Sequence, residues 1–170
     1  MRVSHDLAGA IGAFANTVDL MKMDASFLGE SVGLLETSAH QLTARLAFFR
    51  ALFGAETKSI NQDLVQQYFN TLAIPVKLKG IPSSRLQLAL IATGLELLGA
   101  GGALELTGNT LVISGHDLHN DPMFVQTLMG TSVPCEPKLV MAMWLVSLAK
   151  EEELALRLKA DGNKITLELV

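Results

Sequence analysis

Two apolar stripes in the first third of the chain constrain its fold more than any other feature. Leu7, Ile11, Phe14, Val18 and Met21 step by alternating fours and threes, which lines one side of an α-helix. After an interruption at Met23-Asp24-Ala25-Ser26 the alternation resumes and runs longer, through Leu28, Val32, Leu35, Ala39, Leu42, Leu46, Phe49 and Phe53. A mean repeat of about 3.5 residues is that of left-handed helix packing. Asp24 or Ser26 is placed to cap the second helix and Gly54 to end it. Helices joined by so short a turn pack antiparallel. Leu20, Phe27, Leu34, Phe48 and Leu52 lie off the main seam and widen the apolar face. One hairpin cannot cover both stripes, so a homodimer through residues 5–55 that closes a four-helix bundle is expected.

The rest of the chain has a different texture. A polar stretch from Glu56 to Asn61 precedes a short helix over 63–72 and a strand over 75–79. Pro82-Ser83-Ser84 opens a strong helix that runs to about Leu98 and stops at the glycines between Gly99 and Gly102. Strands over 103–107 and 110–114 flank Gly108-Asn109, a two-residue hairpin turn. Asn120-Asp121-Pro122 sets a cap ahead of a proline at a first helical position. That helix reaches about Met129, and Pro137 opens another to about Lys150. Strands over 154–160 and 164–169 close the chain around Asp161-Gly162-Asn163. The expected class is α + α/β, a helical hairpin (1–55) followed by a two-layer α/β sandwich (60–170).

Composition removes several functions. Apolar residues make up 49% of the chain and charged residues 18%, with a net charge of −4. No basic run or basic patch with interleaved aromatics occurs, so no nucleic-acid partner is expected. The single cysteine, Cys135, excludes an intrachain disulfide and a zinc–thiolate cluster. His5 and Asp6 break the resemblance of the amino terminus to a signal peptide. The most hydrophobic later stretch, 86–98, is too short to span a bilayer and contains Glu96. No membrane association and a cytoplasmic location are expected.

Two local segments carry a resemblance. His5-Asp6-Leu7-Ala8-Gly9-Ala10-Ile11-Gly12-Ala13-Phe14-Ala15-Asn16 resembles the phosphoacceptor helix of the kinase-like histidine phosphotransferases of bacterial cell-cycle phosphorelays. Ala44-Arg45-Leu46-Ala47-Phe48-Phe49-Arg50-Ala51-Leu52-Phe53-Gly54 resembles the second helix of the same family. The layout, a dimerising hairpin before a two-layer α/β domain, is also that of sensor histidine kinases. The resemblance implies a dimeric phosphotransfer protein with a degenerate kinase ATPase-like domain. It also implies His5 as phosphoacceptor and response-regulator receiver domains as partners. The family often has a Ser-Pro pair where this chain has Gly9-Ala10. Four residues precede His5, so either the native start lies upstream of Met1 or the histidine stands in a fraying first turn.

The chemistry of the residues fits those roles. A phosphoacceptor imidazole must be neutral and reachable, and an ordinary imidazole titrates near pH 6.5. At about 100° per residue, His5, Gly9, Gly12 and Asn16 share a face distinct from the apolar seam. Each glycine costs about 1 kcal/mol relative to alanine inside a helix. A bare surface below the histidine lets a receiver approach closely; close helix–helix packing is the other reading. Asp6 either orients the imidazole and accepts its proton or is a helix N-terminal carboxylate favoured by the macrodipole. With the turn near residue 25, Arg45 falls opposite His5. Its guanidinium either contacts phosphate oxygens or is solvated or ion-paired.

His116-Asp117-Leu118 repeats the His-Asp-Leu motif in a loop. His116 and His119, with Asp117 and Asp121 nearby, have metal-ligand spacing, but nothing else in the sequence points to a metal. His40 lies off the seam and is expected in solvent.

An ATP-dependent kinase needs an asparagine-rich helix and an Asp-x-Gly-x-Gly loop. The helix from Arg85 to Leu98 contains no asparagine, and Asp-x-Gly-x-Gly occurs nowhere. Gly99-Ala100-Gly101-Gly102 lacks the Lys-Ser/Thr of a phosphate-binding P-loop. A phosphocarrier with no cofactor of its own is therefore expected, with magnesium on the partner receiver. The alternative is a non-catalytic dimeric scaffold that docks receiver or kinase domains.

Overall fold

The alternating apolar spacing of the first third forms two long helices, α1 (Arg2–Met23) and α2 (Leu28–Phe53), packed against each other. The computed structural model describes residues 2–23, 28–54, 60–119, 121–130 and 136–170, and of residues 2–7, 28 and 30 the backbone alone. Asp24, Ser26, Phe27, Glu56, Asn120 and Cys135 lie outside the described residues, as do the side chains of Leu7 and Leu28. Gly54 ends α2 as expected, its N–H donating to the Arg50 carbonyl at 2.9 Å.

The buried stripes are offset from the apolar seam. Among the described side chains of α1 the buried ones are the small Ala10 and Thr17, while Ile11 is 55% exposed and Phe14 also faces solvent. On α2 the buried residues are Ser31, Ala44, Arg45, Phe48, Phe49 and Leu52. Small side chains on α1 let the two helices approach, and the large seam residues Ile11, Phe14, Val32, Leu46 and Phe53 are left exposed.

A third helix, α3 (Gln62–Phe69), buries Val65, Tyr68 and Phe69. The Phe48 ring stacks on Tyr68 with centroids 3.9 Å apart and planes 13° from parallel, and Phe49 meets Tyr68 edge-on at 5.9 Å. Contacts of this kind contribute about 0.5–1.5 kcal/mol each beyond area burial. The helices α1 and α2 therefore form one compact unit with residues 63–72. The spacing of the sequence assigns 63–72 to the second domain, but its aromatic face is used by α2.

The other unit holds the sheet. Its strands β1 (Val76–Lys79), β2 (Gly102–Thr107), β3 (Thr110–Ser114), β4 (Leu156–Asp161) and β5 (Lys164–Leu169) run in the order β1-β2-β3-β5-β4. The β1–β2 pair is parallel and every other pairing antiparallel. The parallel crossover is made by α4 (Arg85–Leu97). Period-2 alternation sends Leu104, Leu106, Leu111, Ile113, Ile165, Leu167 and Leu169 into the core. Both hairpins, 107–110 and 161–164, turn on Gly-Asn, with φ +55° at Gly108 and Gly162. A positive φ at the first central residue suits a two-residue hairpin.

Ser84 caps α4, its Oγ accepting from the Gln87 N–H at 3.1 Å, while Gln87 Oε1 accepts from the Ser83 N–H at 2.7 Å. The helix is apolar on nearly every side, as a helix buried between layers should be. It closes on the sheet at Gly94, where a Cβ would stand 2.7 Å from Leu111 Cδ2 and 3.1 Å from Leu104 Cδ2. Helices α5 (Pro122–Leu128) and α6 (Val140–Glu151) complete the helical layer, α6 packing on both α4 and α5. Asp121 caps α5, accepting from the Met123 N–H at 2.9 Å. The Lys138 ammonium, 3.1 Å from Asp121 Oδ2, and that N–H hold the Asp121 carboxyl below the usual carboxylate range.

One core group is unsatisfied. Among the described residues, the fully buried Thr93 Oγ1 has no hydrogen-bond partner. Burying an unpaired hydroxyl costs about 1–3 kcal/mol. Thr93→Val keeps the shape and removes the hydroxyl, so it is expected to raise stability by about 1 kcal/mol in urea denaturation.

Candidate functional site

Helix α1 is continuous from Arg2 to Met23, so its 3.6-residue repeat fixes which residues share a face. His5 stands in the first turn, and Gly9 follows about 6 Å further along the axis on the same side. The side chains of His5 and Asp6 lie outside the described residues. Below that position Gly9 and Asn16 are exposed and Gly12 is half-buried. A Cβ built on Gly9 or Gly12 meets nothing within 4 Å. Close packing among the described residues therefore does not explain these glycines, and the face they share with Asn16 is open there.

Arg45 has a different place. It is only 7% exposed. Its NH2 donates to the Thr71 carbonyl at 2.6 Å and its Nε to Thr71 Oγ1 at 3.1 Å. The Thr71 hydroxyl in turn donates to the Tyr68 carbonyl at 2.7 Å. The guanidinium thus satisfies a carbonyl just past the end of α3, where helix geometry leaves acceptors unpaired. Arg45 is thus buried rather than solvated, and it is engaged at Thr71. It clamps α2 to the end of α3, and its burial takes it off the exposed face of the unit. Arg45→Ala removes charged hydrogen bonds and the packing of the stem, so stability is expected to fall by roughly 2–4 kcal/mol in denaturant unfolding.

A signal for this was present. On α2, Ser31, Leu35, Ser38, Leu42, Arg45, Phe49 and Leu52 are buried or half-buried and follow the same four–three alternation, one register from the apolar seam. The complementary set, Val32, Ala39, Leu46 and Phe53, is exposed and spaced by sevens. Together with Ile11, Phe14 and Leu20 on α1, it leaves this unit with large apolar side chains at its surface.

The second His-Asp-Leu is pinned by its backbone. The Gly99 N–H donates to the Asp117 carbonyl and the His119 N–H to the Leu97 carbonyl, both at 2.8 Å, with a bridge between Leu98 and Leu118. His116 and His119 are exposed, as is His40 on α2. Among the described residues no three histidines, cysteines or carboxylates gather into a metal-binding group. No helix among them is long and apolar enough to cross a membrane.

No family model matches the chain. Comparison with curated proteins finds the protein phosphotransferase ChpT of Brucella abortus (strain 2308), 27% identical over 151 residues, which spans 82% of this chain and 69% of ChpT. Among solved structures, a bacterial phosphotransferase superposes with a TM-score of 0.79 at 24% identity, over 99% of this chain and 92% of the other. The fold is thus shared nearly end to end, and the sequence similarity extends across both the hairpin and the α/β unit. The chain is thus similar in sequence to the protein phosphotransferase ChpT and shares the fold of a bacterial phosphotransferase.

Proposed function

We propose that the protein is a dimeric phosphocarrier in which His5 accepts a phosphoryl group from a receiver-domain phosphoaspartate and passes it to the aspartate of another receiver. In the first step a neutral imidazole nitrogen attacks phosphorus, a P–N bond forms, and the P–O bond to aspartate breaks, releasing the carboxylate. The second step reverses this on the next receiver. The receiver supplies the magnesium ion that screens the phosphoryl oxygens, so this chain needs no cofactor. Asp6 serves as a positioning residue that orients the imidazole.

The observation that carries the reading is the open face of α1, on which Gly9, Gly12 and Asn16 continue from the position of His5 with no neighbour against the glycines. A receiver can lie close along such a face, which brings its aspartate to the histidine. Transfer without ATP is favoured by α4, which buries ten of its residues in the core and carries no asparagine to hold a magnesium–nucleotide pair. The exposed apolar flank of the hairpin favours a second copy of the chain and a four-helix bundle. The α/β unit has the role of a degenerate ATPase-like domain that adds docking surface.

The test is to incubate the protein with a phosphorylated receiver and follow the label. Acid-labile label on this chain, chased onto a second receiver, supports the carrier. Receiver binding without transfer shows a scaffold instead, and label taken directly from ATP shows a kinase.

A further inference from the structure

We propose a second, separate site: an anion-binding pocket at the glycine end of the sheet, suited to a small phosphate monoester with an apolar body. The pocket has a volume of about 630 Å3 and lies where β1 and β2 begin and β3 ends. That size is within the ordinary range for small-molecule sites, which combine an apolar lining with a few polar groups. Pro75, Val76, Ala100 and Ala103 form the apolar part of the wall, while Lys77, Ser114, His116 and Asn163 supply hydrogen-bond donors. No acidic residue lines it, although the chain as a whole carries −4.

Strand register strengthens the case. Lys77 pairs with Ala103, Ala103 with Ser114, and Ser114 with Lys164. Directly paired residues point to the same face of a sheet, and here it is the face away from the helices, since the adjacent Leu104, Ile113 and Ile165 enter the core. Two lysines therefore stand at either end of a low floor made by Ala103 and Ser114. Three strand spacings separate their backbones, about 14 Å, a span that two four-carbon stems can close over a small ligand.

Among the described residues neither lysine is ion-paired, whereas Lys79 holds Glu105 at 2.7 Å and Lys138 holds Asp121 at 3.1 Å. Asp161, the register partner of Lys164 on the edge strand, forms no ion pair with it. The end wall is fixed by the backbone, since the Gly115 N–H donates to the Asn163 carbonyl at 3.2 Å and the Gly102 N–H to the Pro75 carbonyl at 3.1 Å. Lys77 lines the pocket and Lys164 stands one strand beyond its Ser114 edge, so two ammonium groups are at hand to balance the two charges of a phosphate monoester, and the apolar wall takes an organic body that inorganic phosphate lacks.

Titrating the full chain with phenyl phosphate, observed in 15N–1H spectra, tests this. Saturable shifts are expected at the amides of Gly101, Gly115, His116 and Asn163, with a Kd below about 1 mM and at least fivefold weaker binding of inorganic phosphate. The Lys77→Ala/Lys164→Ala double variant, altered only at exposed positions, should weaken binding at least tenfold. Lys150→Ala, on α6, should leave it unchanged. Absence of saturation by 10 mM would overturn the site, as would shifts that survive the double variant. Equal affinity for inorganic phosphate would overturn the role of the apolar wall and with it the ligand class.

Discussion

Replacing His5 with alanine is expected to abolish phosphoryl transfer from a phosphorylated receiver, by at least about 10³-fold, because no other group takes over when a covalent nucleophile is removed. The fold should be unaffected, since alanine is the best helix former and the substitution falls in the first turn of α1. The other three histidines provide the controls. His40, His116 and His119 are all exposed, so exposure alone does not distinguish them from a carrier. Transfer that persists in His5→Ala and disappears in one of these would move the phosphoacceptor elsewhere. The glycines refine the same experiment. Gly12→Ala meets no neighbour within 4 Å and should stabilise the helix by up to about 1 kcal/mol. If the open face docks a receiver, the same variant raises the KM for that receiver while the protein becomes harder to unfold. A stabilising change that harms exchange would mark the glycines as functional; unchanged exchange would return them to a structural role.

Local chemistry was the part of the fold most legible in the sequence. Strands 110–114 and 164–169 were read to the residue, because Gly-Asn turns fix the register of a two-residue hairpin and period-2 alternation fixes the faces. The proline after Asp121 marked the start of α5 for a similar reason, since a cap and a locked φ act within a few residues. The choice of partner was much less legible. The stripe of α2 shows which residues avoid water but not which surface covers them. Two apolar alternations, one register apart, overlap on this helix, and the seam read from the sequence takes members from both. Leu35, Leu42 and Phe49 belong to the buried alternation, while Val32, Leu46 and Phe53 belong to the exposed one.

The burial of Arg45 was illegible for the same reason. Its charge places it on the surface by default, whereas the hydroxyl and carbonyl of Thr71 accept its hydrogen bonds in the interior. Thr71 lies 26 residues away in sequence, just past a helix of only eight residues. Of the candidate site, the face shared by His5, Gly9, Gly12 and Asn16 follows from helix geometry alone. What the sequence could not supply was the open space beside the glycines, which depends on where α2 lies.

If the hairpins pair as proposed, wild type has twice the 18.2 kDa mass of one chain and Leu46→Glu is expected to be a monomer. Leu46 is 43% exposed in a single subunit and sits within the exposed heptad stripe between Val32 and Phe53. In a two-fold bundle each substitution counts twice, because the same patch serves both subunits. Losing a buried leucine costs about 1.5–3 kcal/mol, and a carboxylate forced into the seam adds the cost of an unpaired charge. The sum over both copies is at least about 4 kcal/mol, which raises the dissociation constant roughly 10³-fold. His40→Glu is the matched control, since it places the same charge on an exposed position of α2 about 120° around the helix. It should leave the dimer intact. Light scattering during size-exclusion chromatography reads both, and circular dichroism checks that each variant keeps its helices. A wild-type mass of one chain, or an undisturbed dimer in Leu46→Glu, would remove the hairpin flank as the dimer interface. The exchange assay on a monomeric Leu46→Glu protein then asks what dimerisation does. The face of α1 continuing from His5 belongs to one subunit, so transfer that survives monomerisation would show one hairpin to be a sufficient carrier. Loss of transfer would show that the receiver also needs the second copy.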